Sequence, residues 1–471
     1  MFVRSVILLA AMFATACGSP AATPQTPIPP ADAAFLDTLQ ERTFRFFWER
    51  ANPANGLIPD RWPTPSFSSV AAVGFGIATY PVGIERGWIT RAQGVDRTLT
   101  TLRFFWTAPQ GSQPSGIAGH NGLFYHFLDM NTGHRFERVE LSTIDTGLLM
   151  AGVLFAREYF DRDDAREAEI RALADSLYLR VDWKSMVARP ERLSMGWHPE
   201  SGHIQYDWHG YDEAMILHIL ALGSPTHPID PSIWKTYIST NKWGTFHGQT
   251  HTGFAPMFGH QYSHMFVDFR GIMDDYSRAR GIDYFENSRR ATHAQREYAI
   301  ANPMKWAGYG PDVWGLTAAD GPADIERTYN GEQRRFYTYA ARGASHTEVR
   351  DDGTIAPTAA GGSVPFAPEI TIRALRTMRE RYGDGIWGQY GFLDSFNPSF
   401  TFTDVPLQHG KLVPGVGWVD GDYLGIDQGP IVLMIENYRN GLIWRHMRNS
   451  PYIIAGLRRA GFTGGWLGAA N

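Results

Sequence analysis

Apolar residues recur at helical spacing through most of this chain and alternate only in short stretches. Phe35, Leu36, Leu39, Phe46 and Phe47 fall three, four and seven residues apart, which marks a helix with one buried face. Further helical stretches begin near Ser68, Thr90, Ser142, Asp163, Gly210, Pro231, Ser263, Asp283, Phe366, Gly429 and Asn449. About twelve helices suit six helical hairpins, so the expected fold is all-α, an (α/α)6 barrel with short β-hairpins in its loops. Residues 123–128 and 135–141 flank the turn Asn131-Thr132-Gly133 and read as one hairpin. Residues 195–208, turning at Glu200-Ser201-Gly202, read as another. Residues 302–365 are rich in Gly, Pro and Trp and form a long loop, and long loops in compact domains usually serve function.

Alternate helices, those starting near Ser68, Ser142, Gly210, Ser263, Phe366 and Gly429, each follow a polar or aromatic loop. These loops include Arg61-Trp62, the two hairpins, residues 258–262, Asp351-Asp352-Gly353 and residues 425–428. The other six helices follow blander turns. Inner helices of such a barrel run parallel, so six informative loops at six inner N-termini make one pocket.

Composition narrows the occupant. Hydrophobic residues make up 43% of 471 and charged ones 19%, enough for a large packed core. A net charge of −5 disfavours nucleic-acid or anionic-lipid partners, which need a clustered basic surface. Most of the 15 Trp and 20 Tyr suit core packing, but those in polar, Gly-rich loops are harder to place there, and rings beside polar groups suit sugars, whose C–H faces are flat and edged by hydroxyls. Residues 1–16, with Arg4 ahead of an apolar run, read as an export signal too short to span a membrane. The single cysteine, Cys17, follows Ala14-Thr15-Ala16 in the manner of a bacterial lipobox, so lipidation and an envelope address are expected, with membrane contact only through that anchor. Residues 18–33 read as a Pro/Ala-rich tether and 34–471 as one domain, expected to be monomeric.

Cleaving a glycosidic bond needs a proton donor and a second carboxylate. Glu213, opening an apolar helix beside Tyr211 and Asp212, is the first choice for the acid. The second acid stays open among Asp145, Glu140, Asp129 and Asp427. Asp145 and Asp427 also suit helix caps, and Asp129 suits a turn. Glu369 is a first-turn acid, and Glu436 reads as buried and paired. Arg61, His209, Tyr211, Asp212, His260, Gln261, Tyr262, His264, Arg270, Trp314 and Trp418 are candidate sugar contacts. His260 and His264 are four residues apart without the glutamate of a zincin motif, so no metal site is expected. Dinucleotide-binding, P-loop and nucleophile-elbow patterns are missing from the sequence.

Taken together, several segments carry a resemblance. They are Phe46-Phe47-Trp48, residues 56–61, 69–76, 140–146, 258–264 and 284–290, and Gly425-Ile426-Asp427-Gln428-Gly429-Pro430. They resemble the glycoamylase-like domain from about Phe35 to Leu467 and are similar to glycoside hydrolase family 144 and to a domain of cyclic β-1,2-glucan synthases. The resemblance implies an (α/α)6 fold and action on β-1,2-glucans. It implies an inverting endo-β-1,2-glucanase or an exo-enzyme releasing sophorose, with no metal or organic cofactor. Tyr211-Asp212-Glu213 matches the family's pocket acid, where Asn commonly replaces Asp212. Inversion calls for carboxyls roughly 6.5–9.5 Å apart, the acid drier than the base.

Overall fold

The computed structural model describes residues 28–469. The expected leader, Cys17 and residues 18–27 lie outside the described residues. The first helix, Pro30–Arg50, begins inside the stretch expected to be tether, because a proline at the first helical position costs no hydrogen bond.

The fold is an (α/α)6 barrel. Its inner ring consists of Val70–Glu85, Thr143–Tyr159, Met215–Gly223, Tyr262–Phe266, Pro357–Gly361 and Gly425–Asn440. Every residue of Met215–Gly223, Tyr262–Phe266 and Pro357–Gly361 is buried, as expected of helices enclosed on all sides. The outer ring, Pro30–Arg50, Arg91–Thr107, Ala165–Leu179, Pro231–Ser239, Tyr284–Ala301 and Pro368–Tyr382, buries one face of each helix. One inner helix lies elsewhere than the periodicity suggested. The amphipathic Pro368–Tyr382 is outer, and the fifth inner helix is Pro357–Gly361, five residues long and too short to show a period. It still follows Asp351-Asp352-Gly353, so the loop assigned to that inner start is unchanged.

Two inner helices touch backbone to backbone. A Cβ on Gly152 would lie 2.0 Å from the Gly74 carbonyl oxygen, and one on Gly74 would lie 2.5 Å from that of Leu148. Glycine is required there because no side chain fits between Val70–Glu85 and Thr143–Tyr159.

Side-chain caps occur in both rings, at Ser69 and Ser142 for the inner helices starting at Val70 and Thr143. Outer helices begin on Thr90, Asp164, Asp230 and Asp283, whose side chains accept hydrogen bonds from first-turn N–H groups. The inner helices starting at Met215, Tyr262, Pro357 and Gly425 have no such cap, and at two of these ends tertiary partners take a first-turn N–H instead, the Ser263 hydroxyl accepting from Ile216 and the Asp60 carbonyl from Gly425. Short strands roof the end where the inner helices begin. The two expected hairpins merge into one five-stranded antiparallel sheet containing Gly119–His120, Leu123–Tyr125, Leu141–Ser142, Gly196–His198 and Gly202–His203. Arg61–Trp62 pairs with Tyr423–Leu424 and so ties the first loop to the last inner helix.

Candidate active site

Carboxylates gather where the inner helices begin. The Gly425 N–H donates to the Asp60 carbonyl at 2.7 Å, which brings Asp60 and Arg61 beside the start of Gly425–Asn440. Arg61 Nη1 donates to Asp320 Oδ2 at 2.6 Å, with Asp60 at 3.5 Å and Asp422 at 3.8 Å. Asp394 and Asp420 lie beside them, buried. Asp427 adjoins Asp394, close enough to share a proton. Burial, then the neighbouring carboxylates, pushes Asp394, Asp420 and Asp427 above the usual aspartate range. Asp427 does not cap its helix, and its Oδ2 receives no hydrogen bond.

Glu213 sits in the turn two residues before Met215–Gly223. The Ser263 hydroxyl donates to the Glu213 carbonyl at 2.9 Å and accepts from the Ile216 N–H at 2.9 Å, stapling this turn to the next inner helix. Burial raises the Glu213 carboxyl well above its ordinary value, and the charges of Asp212 and Asp145 add to the effect. Tyr262 stands between the two sides of the pocket, since Asp427, Glu213 and Asp145 all bear on its hydroxyl.

A third cluster centres on His126, which the sequence reading did not single out. Its Nδ1 lies 2.8 Å from Glu140 Oε1 and its Nε2 3.6 Å from Asp145 Oδ1. Burial opposes a charge on this ring, but Asp145, Glu140 and Asp60 prevail and raise its pKa to about 9. The cation between them lowers Glu140, which keeps water contact, while Asp145 stays raised because its burial outweighs the ion pair. Asp145 also accepts from the Ser142 hydroxyl, and its N–H donates back to that oxygen at 3.2 Å.

The other nominated residues divide. Asp129 is a turn residue that accepts from the N–H groups of Asn131 and Thr132. With Arg61, Phe67 and Phe136 it lines a groove of about 460 Å³ on the pocket rim. Asp212 faces away from the pocket, accepting from the Tyr237 hydroxyl at 2.7 Å and the Ala214 N–H at 2.9 Å. Tyr211 stacks on Tyr284 and meets Ser288 at 3.2 Å, and His264 meets the same serine at 3.1 Å. His260 is buried against the Phe254 carbonyl, and Gln261 donates to Ala359 and Ser363, clamping Pro357–Gly361. Burial holds both histidines neutral. Arg270 forms a two-pronged pair with Asp268 and lies 4.3 Å over Trp444, away from the acids. Trp314 and Trp418 are core rings, the latter donating to the His409 carbonyl at 2.8 Å. His209 is exposed. Glu369 is also exposed, and Glu436 is buried with Gln40 and Arg86 as partners. Tyr211, Asp212, His260, Gln261, His264, Trp314 and Trp418 therefore build the pocket wall or core, and Arg270 packs elsewhere on the fold.

Besides His126, the sequence reading missed Asp320, Asp394, Asp420, Asp422 and Tyr339. Asp420-Gly421-Asp422 was a visible signal, two acids around a glycine shortly before an inner helix. Half of Tyr339 faces solvent while its hydroxyl end lies among Asp427, Asp394, Asp60 and Asp320. A surface groove of about 700 Å³ between Asp32 and Arg376 contains none of these acids, so the acids themselves locate the site.

An acid-lined pocket at the inner-helix starts of an (α/α)6 barrel defines the class of protein. The glycoamylase family model matches residues 205–451, over half the chain, and the chain belongs to that family. A Bacteroides uniformis structure with the same family description is 31% identical, covering 94% of this chain and 100% of its own, with a TM-score of 0.79. An endo-β-1,2-glucanase from Chitinophaga pinensis, solved with sophorotriose and glucose, is 28% identical, covering 92% of this chain and 99% of its own, with a TM-score of 0.78. The exo β-1,2-glucooligosaccharide sophorohydrolase of Parabacteroides distasonis is 29% identical over 92% of this chain. The chain spans 58% of that relative's length.

Proposed function

We propose that this protein hydrolyses β-1,2-glucan with inversion, Glu213 acting as general acid and Asp427 as general base. The observation that carries the reading is Glu213 itself, a carboxyl open to the pocket whose burial beside Asp212 and Asp145 favours the protonated form at neutral pH. The protonated acid gives its proton to the glycosidic oxygen as the C1–O bond breaks. Water attacks C1 from the opposite face and loses a proton to the second carboxylate. Of the four partners left open by the sequence, Asp129 is held in a turn and Asp145 is bonded to Ser142. Glu140, paired with His126 and lowered by it, is a weak proton acceptor. Asp427 shares the pocket with Glu213 around Tyr262, and the single proton it shares with Asp394 leaves one carboxylate of that pair ionised to take the proton from water. The β-1,2 linkage follows the relatives' activities.

Endo action is the favoured mode. The support for this mode is the match to the Chitinophaga endo-enzyme, which covers 92% of this chain and 99% of that enzyme. Incubation with linear β-1,2-glucan tests both levels. The expected early products are oligosaccharides of mixed length with the α-anomer formed first. Sophorose alone at early times overturns the endo reading, and full activity in Glu213→Gln overturns the acid assignment. The reading includes an envelope address through lipidated Cys17, in which case Cys17→Ser moves the protein from the membrane to the soluble fraction.

A further inference from the structure

The pocket floor holds more buried negative charge than the neighbouring cations answer. Asp320, Asp394 and Asp420 are 0%, 2% and 1% exposed, and each offers a carboxylate oxygen within 4.8 Å of the other two. The backbone fixes this grouping. Asp320 follows the strand Ala318–Ala319, Asp394 precedes Phe396–Asn397, and Asp420 follows Gly417–Val419. The Asp420 N–H donates to the Ser395 carbonyl at 3.0 Å, the Ser395 hydroxyl to the Asp320 carbonyl at 2.8 Å, and the Asp320 N–H to Asp394 Oδ2 at 2.9 Å.

Four oxygens in this nest have no hydrogen-bond partner: Asp320 Oδ1, Asp394 Oδ1 and both oxygens of Asp420. Arg61 reaches Asp320 Oδ2 and approaches Asp422, and the nearby Arg342 is committed to Asp352. Protonation would leave Asp420 with a buried O–H lacking an acceptor and a carbonyl lacking a donor, which is costly. A cation answers both oxygens at once.

The donor set is all oxygen, which selects a hard cation over zinc or copper. Calcium binds oxygens at about 2.3–2.6 Å, so atoms across its shell stand up to roughly 5 Å apart, whereas magnesium's shell spans only about 4.2 Å. We propose that Asp320, Asp394 and Asp420 form a site for one calcium-like divalent cation that pins the three loops of the pocket floor. The sequence motif search misses such a site because its ligands come from three separate segments.

The experiment uses the purified full chain, stripped with a chelator and titrated calorimetrically with calcium chloride without sugar. The expected result is saturable uptake of one calcium per chain, weaker uptake of magnesium, and a rise in Tm of about 3 °C at a hundredfold excess over Kd. Asp420→Asn is expected to abolish uptake while keeping an unliganded Tm at or above that of the stripped wild type, because it removes an unpaired buried charge. Asp422→Asn, altered outside the ligand set, is expected to bind calcium as before. Two results overturn the proposal. One is no uptake by the stripped wild type at millimolar calcium, and the other is undiminished uptake by Asp420→Asn. Stabilisation of the stripped protein by sophorose but not by calcium would likewise overturn it, assigning these oxygens to sugar hydroxyls.

Discussion

Replacing His126 by glutamine removes the one cation set between Glu140 and Asp145 while keeping a side chain able to hydrogen-bond. The folded ring titrates at about 9 against 6.5 for an ordinary histidine. That difference corresponds to about 3.4 kcal/mol at 1.36 kcal/mol per unit. The side chain is 31% exposed, so solvent screening reduces this to about 2 kcal/mol. The sign follows from the raised pKa. Stability from this group is fully present below pH 6.5 and is lost as pH rises through about 9. Wild type is therefore expected to exceed His126→Gln by about 2 kcal/mol, or about 2 °C in Tm for a chain this long, at pH 6 and by little at pH 9.5. Scanning calorimetry of both proteins at the two pH values measures this. A gap of equal size at pH 6 and pH 9.5 refutes the reasoning, because it would mean the ring acts by packing on Phe127 rather than by charge.

Three further outcomes are expected. Glu213→Gln lowers kcat on β-1,2-glucan by about 10²–10⁴-fold with KM little changed, since a general acid acts in the transition state; steady-state kinetics measures both constants. Gly152→Ala costs at least about 1–3 kcal/mol by thermal or urea denaturation, because its methyl meets the Gly74 carbonyl across the inner ring. Arg342→Ala leaves Asp352 buried without its cation and costs about 3–5 kcal/mol, with Asp352→Asn partly restoring stability in the double variant; a double-mutant cycle by denaturation reads the coupling.

The helical period determined the fold class, because a helix that buries one face writes that face into its sequence. Pro30–Arg50 and Pro368–Tyr382 carry such stripes. The period fails where a helix is too short to repeat it, and so the five-residue Pro357–Gly361 went unseen and its outer neighbour took its place. Acids near helix starts were equally visible, yet capping and catalysis use the same residues at the same positions. Asp145 and Asp427 looked alike in sequence. In the fold Asp145 is bonded to Ser142, and Asp427 faces Asp394 with no cap to form. Aromatic and histidine candidates turned inward for a related reason. Tyr211, His264 and Trp418 each need one polar partner, and Ser288 and the His409 carbonyl supply it inside the core as well as a sugar would outside. The sequence alone thus determined the barrel and marked Glu213 as a candidate acid at an inner-helix start. Only the tertiary structure joined Asp60, Arg61, Asp320, Asp394, Asp420 and Asp427 into one charged floor, because these residues come from distant loops whose proximity is set by ring closure and strand pairing rather than by any local pattern.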